Sequence, residues 1–173
     1  MAHQRATRVS ALKRSAKKMK YAEAKEFLYS DGSWRDVYIL GTESEDSERF
    51  LEFLRPILEA DSFTVDCVPS ELPASYAQVL KQREENSPVL SIPVGRSYLN
   101  CHFFTDSEIE LDLIPAKYDN ESDWNELDAF LRSLADAMRM EVVVTPENCS
   151  SEVLIRYTPR AEQVAADQPL TAQ

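Results

Sequence analysis

The alternation of apolar and polar residues between positions 96 and 114 most strongly limits how this chain can fold. Two runs, RSYLNCHFF and EIELDLI, flank the short segment Thr105-Asp106-Ser107. Such alternation is typical of β-strands that bury one face. A three-residue turn at 105–107 pairs 103 with 109, 101 with 111 and 99 with 113, so that apolar residues meet apolar residues. A shift of one residue would oppose apolar and polar rows, so the sequence predicts an antiparallel hairpin in a single register.

The polar residues of this hairpin form a candidate site. The same register places His102 opposite Glu110 and Asn100 opposite Asp112. A carboxylate opposite His102 would raise the pKa of the imidazole and orient it as a general base, so the catalytic candidates are His102, Glu110 and Asp112. The alternative interpretation is a solvated sheet face whose charges discourage edge-to-edge aggregation. The binding residues predicted for this face are Tyr98, Asn100, His102, Glu108, Glu110 and Asp112.

We expect neither a metal nor a cofactor. Side chains two positions apart on a strand stand about 6.8 Å apart, which is too far for two acids of the Glu108, Glu110 and Asp112 stripe to share one ion. The chain has three glycines, none near another, which excludes a P-loop or a dinucleotide fingerprint. His102 is the only histidine beyond His3, so a multi-histidine metal site is not expected.

The order of predicted elements indicates a single α+β domain. It has a mixed, mostly antiparallel sheet with helices on one face. Residues 25–40 are predicted as a hairpin around Asp31-Gly32. Residues 42–58 are predicted as a helix that is capped by Thr42 and Glu45 and interrupted at Pro56. A strand is predicted over 63–68. A helix over 73–85 and an edge strand over 89–94 follow. A long helix begins at Ser122, and two strands, EVVVT and VLIRYT, end the domain. The apolar stripe of the long helix is Trp124, Leu127, Leu131, Leu134 and Met138.

The predicted elements repeat in the order hairpin, helix, strand. Residues 53–69 aligned on 130–146 without gaps match at six positions, among them Phe53 with Phe130 and Pro69 with Pro146. The shared order and the matches together predict a duplicated ββαβ unit, with the two halves related by a pseudo-twofold axis.

Charge divides the chain into two parts. Residues 1–20 contain seven of the 19 Lys and Arg residues and no acid, whereas the rest contains 12 Lys and Arg against 30 Asp and Glu, a net charge of −18. We expect 1–20 to be a flexible basic extension, 21–159 the globular domain and 160–173 a disordered tail. The extension has one helical stripe, formed by Val9, Leu12, Ala16 and Met19. Alternatives are a presequence, a nucleic-acid or lipid-binding helix, a segment lying on the acidic body, or an upstream start before Met19.

The cysteines favour a reducing compartment. Cys67, Cys101 and Cys149 are odd in number and too far apart for a C-x-x-C pair. We expect reduced thiols in the cytoplasm, with Cys67 and Cys101 in the core. No apolar run is long enough for a signal peptide or a membrane span.

An acidic α+β protein without catalytic motifs resembles the immunity proteins that neutralise basic toxins. The first functional hypothesis is therefore a cytosolic, non-enzymatic binding protein that presents an acidic surface to a basic protein partner and binds neither nucleic acid nor membrane. Trp34, beside a tight turn and followed by Arg35, is a candidate anchor residue. The second hypothesis is a small enzyme or ligand-binding domain that uses the polar sheet face around His102 and Glu110.

Overall fold

The computed structural model describes residues 19–28 and 31–160. The helices of these residues are α1 (Tyr21–Ala24), α2 (Ser44–Leu54), α3 (Tyr76–Arg83) and α4 (Glu121–Met138). The strands are β1 (Arg35–Leu40), β2 (Phe63–Val65), β3 (Val68–Pro69), β4 (Pro88–Val94), β5 (Ser97–Cys101), β6 (Glu108–Leu113), β7 (Val142–Pro146) and β8 (Ile155–Tyr157). The predicted tail beyond Arg160 and residues 1–18 of the predicted extension lie outside the described residues.

The eight strands form one sheet in the order β3-β2-β4-β5-β6-β1-β7-β8. All neighbouring strands in it are antiparallel. Strand β1 lies between β6 and β7, so Val37 is opposite both Leu111 and Val144. With its helices on one face of this sheet, the protein has the predicted α+β architecture.

The core lies between the sheet and the helices. The apolar stripe of α4 is fully buried, as its spacing predicted, and α4 also contacts α1 and α2. On the sheet side, alternate residues such as Leu99, Leu111 and Val37 are fully buried. Burying a side chain of this size contributes about 1.5–3 kcal/mol. The opposite face of the sheet is not covered by these helices and is called the open face below.

The second hairpin has the predicted register. Asn100 is opposite Asp112 and Cys101 is opposite Leu111. Strand β5 nevertheless ends at Cys101, before the predicted end at Phe104, because Phe103 adopts a left-handed backbone with φ of 54°. The connection to β6 is therefore longer than a three-residue turn.

The first predicted hairpin is wrong. Within its first run, residues 25–28 form the turn that follows α1, and in the second run only 35–40 forms a strand. Leu28 is buried in this turn rather than in a strand, and its amide donates a 2.9 Å hydrogen bond to the Ala24 carbonyl four positions earlier. The first half thus lacks the hairpin on which the duplicated ββαβ unit depends, and the duplication remains unconfirmed.

The predicted strand over 63–68 is also interrupted. Asp66 and Cys67 have φ of 51° and 64° and form the two-residue turn between β2 and β3. Cys67 is consequently exposed, contrary to its predicted core position, while Cys101 is buried as expected. Strand β4 lies inside the sheet rather than at its edge. However, β2 pairs only with residues 88–90, so Pro93 has a partner on the β5 side alone.

Helix ends differ from prediction by one to four residues. Glu43 and Asp46, rather than Thr42 and Glu45, form the capping box of α2. Asn120, rather than Ser122, caps α4 by accepting a hydrogen bond from the Asp123 amide. Helix α2 ends at Leu54 and continues as a 3₁₀ turn that contains Pro56, which confirms the predicted interruption.

Met19 belongs to the folded body, although the predicted boundary lay at residue 21. Its side chain is only 9% exposed and joins the core. The indole Nε1 of Trp124 donates a 2.9 Å hydrogen bond to the Met19 carbonyl. A buried indole N–H requires such an acceptor, so the start of the described chain is held against α4.

Candidate functional site

The open face carries most of the polar residues predicted as a site. Alternation along β5 and β6 directs Tyr98, Asn100, Glu110 and Asp112 away from the helices. The loop between β7 and β8 covers the neighbouring part of the face, where the Asn148 amide donates a 2.7 Å hydrogen bond to Asp36 Oδ2. The exposed part of the open face therefore centres on β5 and β6.

Three carboxylates meet at the centre of this face. Asp36 on β1 lies opposite Asp112, and Glu110 lies opposite Tyr38. Carboxylate oxygens of Asp36, Glu110 and Asp112 all lie within 4.8 Å of one another, and these three residues are called the carboxylate cluster. Asp36 is only 3% exposed. Within residues 19–28 and 31–160, no Lys or Arg side chain forms a salt bridge with Asp36 or Glu110.

The cluster opposes its own ionisation. Burial raises the pKa of Asp36 above its usual range, and the Asp112 and Glu147 carboxylates raise it further. The pKa of Glu110 is also raised, first by burial and then by the charge of Asp36. Hydrogen bonds from the Asn148 amide and the Tyr38 hydroxyl act in the other direction on Asp36. Positive charge placed at this cluster is therefore electrostatically favoured.

His102 contacts this cluster through Asp112. The distance from His102 Nε2 to Asp112 Oδ2 is 2.8 Å. The sequence had paired His102 with Glu110, but β5 ends one residue earlier and the imidazole reaches Asp112 instead. This hydrogen bond raises the pKa of His102 above 6.5, while burial and the charge of Arg83 oppose the rise. Glu110 contributes only through its charge.

Aromatic residues lie beside the imidazole. The rings of His102 and Phe104 are stacked with their centroids 5.7 Å apart. The guanidinium of Arg83 lies 4.7 Å from the centre of the Phe104 ring and donates a 3.0 Å hydrogen bond to the His102 carbonyl. Phe104 is still 50% exposed, so this end of the open face offers aromatic surface to solvent.

The other predicted site residues differ in their surroundings. Asn100 accepts a 2.8 Å hydrogen bond from Ser91, so part of its polar capacity is used within the sheet. Tyr98 is 47% exposed, and Trp34 is exposed two positions before Asp36. Glu108 is half-buried opposite Leu40, whose side chain is exposed. Tyr98, Trp34 and Leu40 therefore add contact surface, whereas Asn100 mainly joins β4 to β5.

Asp36 and Tyr38 were not predicted as site residues. Their alternation with Val37 and Ile39 shows that they share one face of a strand. The local sequence does not show that this strand pairs with β6, so the third carboxylate was missed. The spacing argument against metal binding considered one strand only. With Asp36 included, the three carboxylates are close enough for an oxygen-ligating divalent cation.

Two surface cavities lie away from the open face. One of about 660 Å³ is formed by α3 and the segments beside it. The other, of about 610 Å³, lies between α1 and residues 115–119. Neither cavity is lined by a residue of the carboxylate cluster or by His102, so the cluster lies on exposed sheet surface rather than in either cavity.

No protein-family model, curated protein or solved structure matches this chain. Among the described helices, none has the length and apolar character needed to cross a bilayer.

The imidazole pKa tests this geometry. We expect Asp112→Asn to lower the pKa of His102 toward 6.5 more than Glu110→Gln does, because Asp112 supplies the hydrogen bond. Since the folded-state pKa is raised, the stability contributed by His102 is fully present below about pH 6.5 and is lost as the pH rises through the folded-state pKa. NMR titration of the His102 ring in the wild type and both variants measures this order. A larger effect of Glu110→Gln would contradict the described contact.

Proposed function

We propose that this protein is a small, cytosolic, non-enzymatic binding protein, similar in role to an immunity protein, which presents its open face to a basic protein partner. The observation that carries the proposal is the carboxylate cluster of the open face, in which buried Asp36 and half-buried Glu110 form no salt bridge with a Lys or Arg of residues 19–28 and 31–160. A cationic side chain of the partner would supply the missing counter-charge.

The composition of the open face also supports a protein partner. Exposed Tyr98, Phe104, Leu40 and Trp34 lie among the charged groups. Aromatic and apolar anchors surrounded by polar residues are typical of protein interfaces.

The charge of the body supports the sign of the partner. Beyond Lys20 the net charge is −18, which attracts basic proteins and repels nucleic acid. Exposed charges are screened beyond about 8–10 Å at physiological ionic strength, so association with such a partner should weaken as salt is added.

The proposal is tested by titrating the isotope-labelled full chain with an oligoarginine peptide. We expect the largest chemical-shift changes in β1, β5 and β6 and an affinity that falls with salt. The pair Glu110→Gln with Asp112→Asn should weaken binding at least about tenfold, equivalent to about 1.4 kcal/mol, because it removes charge where the peptide docks.

The matched control is the pair Glu52→Gln with Glu59→Gln. It removes the same formal charge from exposed positions on and just after α2, in the helix layer. We expect a much smaller loss of affinity in this control. Equal losses in the two pairs, or shifts concentrated on the helices, would mean that oligoarginine senses overall charge and would refute a specific open-face site.

A second candidate function is a ligand-binding or catalytic domain on the same face, and the hydrogen bond between His102 and Asp112 favours it. The imidazole is held by a carboxylate, as in general-base sites. Titration with Mg²⁺ or Ca²⁺ separates the two functions. Shifts confined to the carboxylate cluster, together with loss of oligoarginine binding in the presence of the ion, would favour the second candidate over the first.

A further inference from the structure

The cavity between α1 and residues 115–119 forms an apolar groove at the point where the described chain begins. Its volume is about 610 Å³, within the range of sites that bind other molecules. Tyr21 and Leu28 form one wall, and Pro115, Ala116 and Tyr118 form the other. None of the open-face residues lines it, so the groove is separate from the site proposed above.

The chain enters the body beside this groove. Met19 is buried and its carbonyl accepts the Trp124 hydrogen bond, while Tyr21, two positions later, forms part of the groove wall. The Tyr21 hydroxyl donates a hydrogen bond to the Asp119 carbonyl on the other wall. The described chain therefore begins two positions before a residue of the groove wall.

The sequence before Met19 has the chemistry to fill it. Val9, Leu12, Ala16 and Met19 recur at helical spacing. Met19, the last member of this stripe, is buried in the body. At about 1.5 Å per residue, Leu12 would lie about 10 Å from Met19 along a helix.

The charge of residues 1–18 also favours this segment as the one that fills the groove. Residues 1–18 contain six Lys and Arg residues and no acid. Glu26 and Asp119 lie at the groove, and the body as a whole is strongly acidic. Lys25 is the one cation among the groove residues. Basic residues beside the stripe would thus lie near carboxylates while the stripe contacts apolar walls.

We propose that residues 7–18 form an amphipathic helix that docks with Val9, Leu12 and Ala16 in this groove, in the same chain. The basic segment then belongs to the folded protein and neutralises part of its acidic surface. This inference is independent of the open face, since it concerns a different set of residues.

Hydrogen exchange of the full chain tests the docking. We expect the amides of residues 9–18 to exchange at least about tenfold more slowly than in an unprotected peptide. Leu12→Asp should abolish this protection, whereas Ser10→Asp, which introduces the same charge off the stripe, should retain most of it. A chain that starts at Met19 should melt a few degrees lower than the full chain.

Ala116→Trp provides the reciprocal test from the groove side. Ala116 is exposed in the 3₁₀ turn after β6, so the indole should fill the groove without disturbing the core. Protection of the amides of residues 9–18 against exchange should then disappear.

Unprotected amides in the wild-type chain would refute the proposal. Protection that survives Ala116→Trp would also refute it, because the segment would then lie elsewhere. Protection that appears only with anionic vesicles or DNA would assign the segment to lipid or nucleic acid instead. The oligoarginine titration reads out the open face, so failure there is distinct from failure here.

Discussion

Asp36→Asn is expected to make the folded protein more stable at pH 7. The asparagine keeps an oxygen to accept the Asn148 amide and removes one of three clustered negative charges. Two unit charges about 4 Å apart repel by roughly 1–4 kcal/mol between water and a protein surface environment, so a gain of this order is expected. Urea unfolding of both proteins at pH 7 measures it.

The raised pKa of Asp36 determines how the stability difference between Asp36→Asn and the wild type changes with pH. Burial and neighbouring carboxylates raise the pKa of folded Asp36, so the wild type loses stability as the pH rises through that pKa. Below about pH 4 both the folded and unfolded wild type hold the proton. The advantage of Asp36→Asn should therefore be small at pH 4 and grow toward pH 7. A variant that is less stable than the wild type at pH 7 would show that the cluster is not repulsive.

Asp128→Ala is expected to destabilise the fold by about 2–3 kcal/mol, because it removes the buried acceptor of the Tyr157 hydroxyl and the counter-ion of the half-buried Arg132. Asp128 is 1% exposed and accepts hydrogen bonds from Arg132 Nε at 2.9 Å, Arg132 Nη2 at 3.1 Å and the Tyr157 hydroxyl at 3.3 Å. Removal of the carboxylate deprives the buried Tyr157 hydroxyl of its acceptor and Arg132 of two hydrogen bonds.

Asp128→Asn is the control for this loss. It retains the shape of the side chain and an oxygen that can accept the Tyr157 hydroxyl, so it should cost less than Asp128→Ala. Thermal and urea unfolding of both variants give the comparison. Equal costs would mean that the negative charge itself, rather than hydrogen-bond acceptance, holds α4 against β8.

The two aspartates differ in a way that bears on function. Buried Asp128 pairs with Arg132 and buried Asp123 pairs with Arg96, but Asp36 is buried beside two further carboxylates. Folding alone does not require the arrangement around Asp36. Locally unfavourable arrangements are expected mainly where a binding partner or a reaction uses them, which is consistent with the proposed open-face site.

The sequence predicted those parts of the fold that short-range patterns determine. Alternation around 105–107 was sufficient for the register of Asn100 with Asp112, and helical spacing was sufficient for the buried stripe of α4. The helix α1 was missed because it spans only four residues, of which Ala24 alone is buried, so it shows no helical periodicity. The turn at Asp66 and Cys67 was missed because neither residue is a glycine despite a left-handed backbone.

The site was only half predicted for a different reason. His102, Glu110 and Asp112 belong to one hairpin, whose pairing is visible in the local pattern. Asp36 joins them because β1 inserts beside β6, a contact between distant parts of the chain. No local pattern of apolar residues encodes which strand becomes the neighbour of β6, so the carboxylate cluster could be recognised only in the fold.

The position of β1 also has a consequence for how the protein is made. Among the described strands it is the first to be synthesised, yet its neighbours are β6 and β7, so Arg35 cannot pair on both sides until Leu113 and Pro146 have been made. Until β7 has been translated, the run VYIL has unpaired strand edges on the growing chain. Non-local pairing of this kind slows folding and prolongs exposure to aggregation. The ribosome must therefore deliver nearly the whole domain before the centre of its sheet can close.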